Sequence, residues 1–482
     1  MQKPRTGTQI MAGFAATMIM VSAGYHVGWS SPSLPKLEAA DSEILLTSDE
    51  GSWIVSVFGF GCFFGSPISS LIVDKLGRKR SLLFSAIPLV ISGVLLSVAR
   101  SYWWLISARF IAGTGSCMCY SSIPMYLAEI ASDDIRGALG AMIITMFNAG
   151  VLISYCVGPW MSRVAFASLG IALPVVFCSM FIWMPESPYY LIMKNDRNGA
   201  VKSLQWLRGR VDITVEVAKI DASIEFDRKN AGTFMDLVKV RGNRKARISQ
   251  FAGHCRYYIV ERASCIAFGL VFAQQLSGVS AVLAYGGLIM EAAGTRFDPS
   301  VSVILIGCIQ VVSSILCVFI VDLMGRKPLL LISTFGSIVL LGGVALYFQL
   351  VALEVDVRSI WWLPLISMSG YIFFFTFGLG LLQCVVLSEI FPYNVKAVAA
   401  SASSLVGSFG GIVVSKLYQI VADAWGIHIS FWGFTVITIF SAVFIVFVVP
   451  ETKQKSLQEI QEELHKNTES KTTIEELDDC GC

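Results

Sequence analysis

Asp74-Lys75-Leu76-Gly77-Arg78-Lys79 and Asp322-Leu323-Met324-Gly325-Arg326-Lys327 decide how this chain folds. Each block follows a long apolar run, with Asp, Gly, Arg and Lys at the same offsets. Two further signals repeat around them. Glu129 stands seven residues before Arg136, and Glu389 seven before Lys396. Pro185-Glu186-Ser187 closes one half, and Pro450-Glu451-Thr452 closes the other. Three signals in the same order, each tied to the same apolar run of its half, describe an internal duplication. Parallel halves need an even number of spans each, as in transporters built from two six-helix bundles.

Outward from these blocks, apolar runs of membrane length fall at about 10–29, 53–73, 82–99, 102–127, 138–158, 165–184, 264–290, 300–321, 328–350, 361–386, 398–421 and 428–449. They lack the two-residue alternation of barrel strands, so the fold class is an all-α membrane protein with about twelve transmembrane helices in two bundles of six. The chain is 55% hydrophobic and 15% charged, against about 25% charged in soluble domains, which argues against a soluble enzyme. A net charge of +2 leaves no basic surplus for nucleic acid. No nucleophile–base set, metal-ligand cluster or cofactor motif stands out, so no enzyme activity, cofactor or metal is expected, and no ion-selective filter suggests a channel. The first apolar run, Ile10–Trp29, lacks a small-residue cleavage site and reads as a span rather than a removed signal.

Of the 36 Lys and Arg residues, only Lys36, Arg100, Arg163, Arg296 and Arg358 fall in loops on the side away from the termini, and Arg109 and Lys416 lie within spans. The remainder put both termini in the cytoplasm. The implied domains are 1–192 and 263–452 for the bundles, 193–262 for a cytoplasmic loop with short helices, and 453–482 for a tail. The stretch Ser456–Leu464 reads as a helix and Lys466–Asp479 as disordered. Cys480 and Cys482 form a CxC end of the kind that can carry lipid, and the other cysteines mostly sit in apolar runs as free thiols. No Asn-x-Ser/Thr sequon falls in an outer loop.

In the repeated blocks the glycine allows a tight turn, and Arg78 or Arg326 is placed to pair with Glu129 or Glu389 on a neighbouring helix end. With Asp74, Arg136, Asp322 and Lys396, these charges read as latches on the cytoplasmic face, closed in the outward-facing state and broken when the carrier opens inward.

These motifs make the chain similar to the sugar porter family of the major facilitator superfamily. The match rests on Asp74–Arg80, Arg109-Phe110 with Gly113, Pro124-Met125-Tyr126-Leu127-Ala128-Glu129 with Arg136-Gly137, Pro185-Glu186-Ser187-Pro188, Gln274-Gln275-Leu276-Ser277-Gly278, Gly325-Arg326-Lys327 and Pro450-Glu451-Thr452-Lys453. Ser30-Ser31-Pro32 and Ile123–Ile130 most resemble the facilitated trehalose transporters of insects. The resemblance implies facilitated diffusion of a sugar, trehalose or a hexose, across the plasma membrane by alternating access, in a lipid-embedded chain working as a monomer.

It also implies the sugar site. Gln274 and Gln275 occupy the family's sugar-contacting positions, Gln310 falls where an Asn is usual, and Tyr285 reads as an aromatic gate. Amides suit hydroxyl-rich ligands because they both donate and accept. Ser280 replaces an Asn, and Ile144 replaces a Gln, with Asn148 one turn away on the same face. Span ten departs most. Gly378-Leu379-Gly380-Leu381-Leu382-Gln383-Cys384 lacks the family's three prolines and tryptophan, and Gly407-Ser408 replaces Asn-Trp in span eleven. Gly378, Gly380, Gly407, Gly410 and Gly411 remain to supply flexibility. These changes keep open a non-transporting sugar receptor on the same fold. Where proton-coupled relatives carry an Asp, this chain has His26, which leaves a proton symporter as a further alternative. Arg109 is expected to pair within the first bundle or snorkel, and Lys416 to snorkel outwards.

Overall fold

The computed structural model describes residues 6–132, 134–209, 213–229, 250–391 and 393–453. These residues are almost entirely helical. The first half comprises α1 (Thr6–Gly28), α2 (Ser30–Glu38), α3 (Ser48–Leu76), α4 (Arg78–Val98), α5 (Tyr102–Ile130), α6 (Arg136–Val157) and α7 (Arg163–Phe181). Three short helices follow, α8 (Pro188–Met193), α9 (Arg197–Arg208) and α10 (Thr214–Lys229). The second half comprises α11 (Gln250–Leu276), α12 (Val279–Ala293), α13 (Pro299–Met324), α14 (Arg326–Ala352), α15 (Leu363–Phe377), α16 (Leu379–Ile390), α17 (Tyr393–Trp425) and α18 (Ile427–Val448).

Helices dominate because an apolar run in lipid must satisfy its own backbone. Among the described residues, eleven stretches are long and apolar enough to cross a membrane. The remaining span, α5, has 29 residues and carries Arg109 in its interior. Local signals set the ends. Thr47 and Glu50 form a reciprocal capping box that starts α3, and Asp298 caps α13 just ahead of Pro299. Gly77 and Gly325 take φ values of +95° and +88° in the turns between α3 and α4 and between α13 and α14.

Two of the expected spans are each two helices. The seventh breaks at Ser277-Gly278, where Gly278 is left-handed and Tyr371 Oη donates to Ser277 O at 3.0 Å. Gln275 and Tyr285 therefore sit on different helices rather than on one. The tenth breaks at Gly378 without any proline. Ser333 of α14 spans that break: its Oγ donates to Phe374 O at 2.7 Å and accepts from Leu379 N at 3.1 Å. A Cβ on Gly378 would lie 2.2 Å from the Ser333 Cβ, so the glycine is what lets the serine in.

Buried apolar residues of the first half form two clusters lying within residues 12–207, and those of the second form one, joined by Leu34, Val55, Val151 and Tyr155 from the first. Small residues bring helices close. A Cβ on Gly61 or Gly113 would strike the backbone of the facing helix at 2.0 Å, locking α3 to α5. The face on which α1 begins and α18 ends is called the terminal face below, and the other the opposite face.

The expected helices of the connecting loop are α9 and α10; α10 pairs with α9 through Glu216–Arg208 and Asp221–Arg197, and α9 bonds to the first half. Thr8 Oγ1 donates to Leu207 O, Arg208 Nη1 to Ile130 O, and Ser203 Oγ to Glu186 O. The segment 230–249, the tail from 454 with its expected helix, and Cys480 and Cys482 lie outside the described residues.

Candidate functional site

On the terminal face the three repeated signals converge into one network per half. Arg78 donates through Nη2 and Nε to Glu129 Oε1 at 2.8 and 3.0 Å, and Ser187 Oγ donates to the other carboxylate oxygen. Glu186 accepts the Lys79 backbone N–H at 2.9 Å, capping the start of α4. The second half repeats the pattern. Arg326 pairs with Glu389 at 3.0 Å, Thr452 Oγ1 donates to Glu389 Oε2 at 2.5 Å, and Glu451 accepts the Arg326 and Lys327 N–H groups at 3.0 and 3.1 Å. Burial pushes the Glu451 carboxyl up, but the backbone N–H groups of Lys453, Arg326, Lys327 and Thr452 outweigh it and hold its pKa below 4.5. Sequence spacing paired Arg with the first Glu but missed that the Pro-Glu-Ser/Thr signal caps the same turn. Asp74 is exposed, Arg136 opens α6 at the surface, and the side chains of Asp322 and Lys396 lie outside the described residues.

The two halves meet at the opposite face. Lys416 of α17 donates to Asp49 Oδ1 and Ser52 Oγ, both at 2.6 Å, with its ammonium 4.5 Å from the Trp53 ring centroid. Ser48 Oγ donates to Asp423 at 2.7 Å and accepts from Gln419 Nε2 at 2.8 Å. Ser31 Oγ accepts the Gly287 N–H at 2.9 Å, and Tyr155 Oη donates to Leu283 O at 2.9 Å. Lys416 thus clasps the other half instead of snorkelling, because the first turn of α3 offers acceptors within reach. Lys416, Gln419 and Asp423 share one face of α17 by spacing, but their partners lie more than 360 residues away in sequence.

Towards the terminal face, Tyr120 of α5 is 42% exposed and Cys384 of α16 is exposed as well. In the state described the halves are joined at the opposite face, and both terminal-face ion pairs are formed. Each of these pairs lies within one half.

Between these faces lie the expected sugar-site residues. Gln310 Nε2 donates to Asn148 Oδ1 at 3.0 Å across the seam of α13 and α6, and both side chains are buried. Asn148 Nδ2 and Gln310 Oε1 have no hydrogen-bond partner among the described residues. Ser280 Oγ donates to Gln275 Oε1 at 3.0 Å, and Gln274 Nε2 donates to Gly380 O at 3.4 Å. Gln275 packs on Gly410 of α17, where a Cβ would come within 3.0 Å of it. Tyr285 is buried. Its ring lies tilted by 31° against that of Tyr418 with centroids 5.0 Å apart, and its hydroxyl donates to Ser415 O at 3.2 Å.

His26 is 0% exposed, and neither ring nitrogen has a partner among the described residues. Arg109 pairs within the first half, as one of the two expectations had it. It donates to the His26 carbonyl, to Ser30 Oγ at 3.1 Å and to Ile54 O at 3.4 Å, and lies against the rings of Phe58 and Trp29. Among the described residues, no group of three or more His, Cys, Asp or Glu is arranged to hold a metal ion.

Two packed halves around a seam of buried amides, crossed by about twelve helices, define a multi-pass membrane transporter. Residues 11–464 match the profile of the sugar (and other) transporter family, and the chain belongs to that family. It is 30% identical over 466 residues to the facilitated trehalose transporter Tret1 of Bombyx mori, covering 96% of this chain and 88% of that one. It is 30% identical over 463 residues to a Tret1-2 homolog of Drosophila simulans, covering 95% and 91%. A partially occluded, inward-open structure of the Escherichia coli xylose transporter XylE superposes with a TM-score of 0.77 at 22% identity, over 94% of this chain and all of that one. That likeness shows the major facilitator fold. The family is one of transporters, not enzymes.

Proposed function

We propose that this chain carries a sugar, trehalose or a hexose, by facilitated diffusion through alternating access, as a monomer in the plasma membrane with both termini in the cytoplasm. The observation that supports it most is the Asn148–Gln310 pair. Its unused Nδ2 donor and Oε1 acceptor lie buried on the seam between the halves, and a sugar hydroxyl supplies both complements at once. Leaving such groups buried and unpaired is costly, so a ligand that satisfies them gains what the empty site lacks. Gln274, Gln275 and Ser280 extend the polar surface along the second half, and Tyr285 with Tyr418 closes it on the opposite side. The trehalose transporters among the relatives favour that cargo.

Uniport fits the surroundings of His26. Arg109 donates an N–H to its carbonyl, carbonyls and rings already compensate the guanidinium, and no acid pairs with the imidazole among the described residues. Uptake of labelled trehalose and glucose into proteoliposomes tests the reading. Saturable uptake lost in Asn148→Leu and unchanged between about pH 5.5 and 7.5 supports it. Uptake that follows an imposed proton gradient would instead assign a symporter using His26. Sugar binding with no uptake by correctly inserted protein would assign a receptor.

A further inference from the structure

At the opposite face a cavity of about 260 Å³ opens between α2 of the first half and α12 and α13 of the second. Its lining includes neither Asn148 nor Gln310. Four prolines, with Tyr155 and Val303, give it rigid apolar walls. Polar groups stand among them. Lys36 Nζ donates to Gly158 O and Met161 O, both at 2.8 Å, which leaves the ammonium one further N–H. Ser300 supplies a hydroxyl and Glu291 a carboxylate from the other half. Its size falls just below the about 300–1,000 Å³ of drug-sized ligand sites, which suits one small ring. Flat apolar walls match the C–H faces of a pyranose, while a donor and an acceptor on separate helices match its hydroxyls.

The walls come from both halves, and two of the lining residues are among those that join them. Ser31 accepts the Gly287 N–H, and Tyr155 donates to Leu283 O. The cavity in this form therefore exists only while the opposite face is shut. A ligand that binds one state only shifts the population towards that state. We propose that this cleft is a second, weak site for a single sugar ring, and that sugar on the opposite side slows its own entry by binding there and holding that face closed. The inference rests on the sugar-carrier reading. At a sugar concentration equal to the dissociation constant of this site, the weight of the shut form doubles, roughly halving the share of carrier free to open.

The test measures initial sugar uptake in proteoliposomes over a wide range of concentration on the opposite side. Wild type should rise to a maximum and then fall by about half or more. Ser300→Trp, which fills the cleft, should rise to a plateau without the fall. Glu291→Gln, a milder change, should move the fall to higher concentration. Exit from vesicles with no sugar on the opposite side should be unchanged in both variants. A plateau in wild type, or the same fall in all three proteins, overturns the inference while leaving sugar transport intact. Absence of any uptake by wild type overturns the transport reading itself.

Discussion

Arg78→Ala tests whether the terminal-face ion pairs are staples within a half or locks that open and close. The Arg78 and Glu129 side chains are 5% and 14% exposed, Ser187 holds the other carboxylate oxygen, and the guanidinium lies 5.3 Å from the Tyr190 ring centroid. Removing Arg78 leaves a nearly buried carboxylate with one hydroxyl for company. Stripping one partner from a buried pair costs about 3–5 kcal/mol. At about 2–4 °C per kcal/mol, thermal unfolding of the purified protein should fall by roughly 6–20 °C. Arg326→Ala should cost less, because Arg326 and Glu389 are 16% and 25% exposed and water screens them more. The double variant Arg78→Met, Glu129→Leu should recover most of the loss, since no charge is left alone. If Arg78→Ala melts with wild type and instead changes which face a thiol reagent reaches, the pair is a moving lock and the staple argument is wrong.

At the opposite face, Lys416→Met removes the clasp to Asp49. With that acid 71% exposed the pair is worth about 0.2–1 kcal/mol, so the shut population should drop by up to about fivefold, read from reagent access on that side. The exchange Lys416→Asp with Asp49→Lys should restore it. Ser333→Ala strips the Leu379 N–H of its acceptor at the span-ten break, costing about 1–3 kcal/mol by thermal unfolding, while Gly378→Val should block uptake outright for want of space. Glu451 titrates below 4.5 when folded, so its contribution is complete above that value and is lost as pH falls through the lower folded one. Wild-type melting should drop below about pH 4.5, and Glu451→Gln should drop less.

The spans, the duplication and the turns at Gly77 and Gly325 were legible because each is written locally, in apolar length or in a six-residue motif. The pairing of Arg78 with Glu129 was legible because the motif recurs, and a recurring acid beside a recurring base is informative. What was hidden depends on depth and on distant partners. Lys416 read as a snorkelling lysine because nothing near it in sequence reveals Asp49. Tyr285 read as a neighbour of Gln275 because the left-handed turn at Gly278 is invisible to residue counting. The loss of prolines from span ten suggested a weakened hinge. Yet the break survives, because Ser333 on α14, 46 residues before Leu379 in sequence, meets the freed backbone at Gly378.

The same logic separates the two kinds of charge in this carrier. Charges on the terminal face are paired inside one half, and their geometry need not change when the halves rock. On the opposite face the Lys416–Asp49 ion pair and the Ser48–Asp423 hydrogen bond join one half to the other and must separate each time that face opens. A contact that breaks in every cycle has to be weak, and the exposed clasp is, at about 0.2–1 kcal/mol for such a pair. A contact that holds a bundle together need not break, and the Arg78–Glu129 pair is nearly buried. Burial thus divides the acids and bases of the chain between holding each half rigid and letting the two halves part.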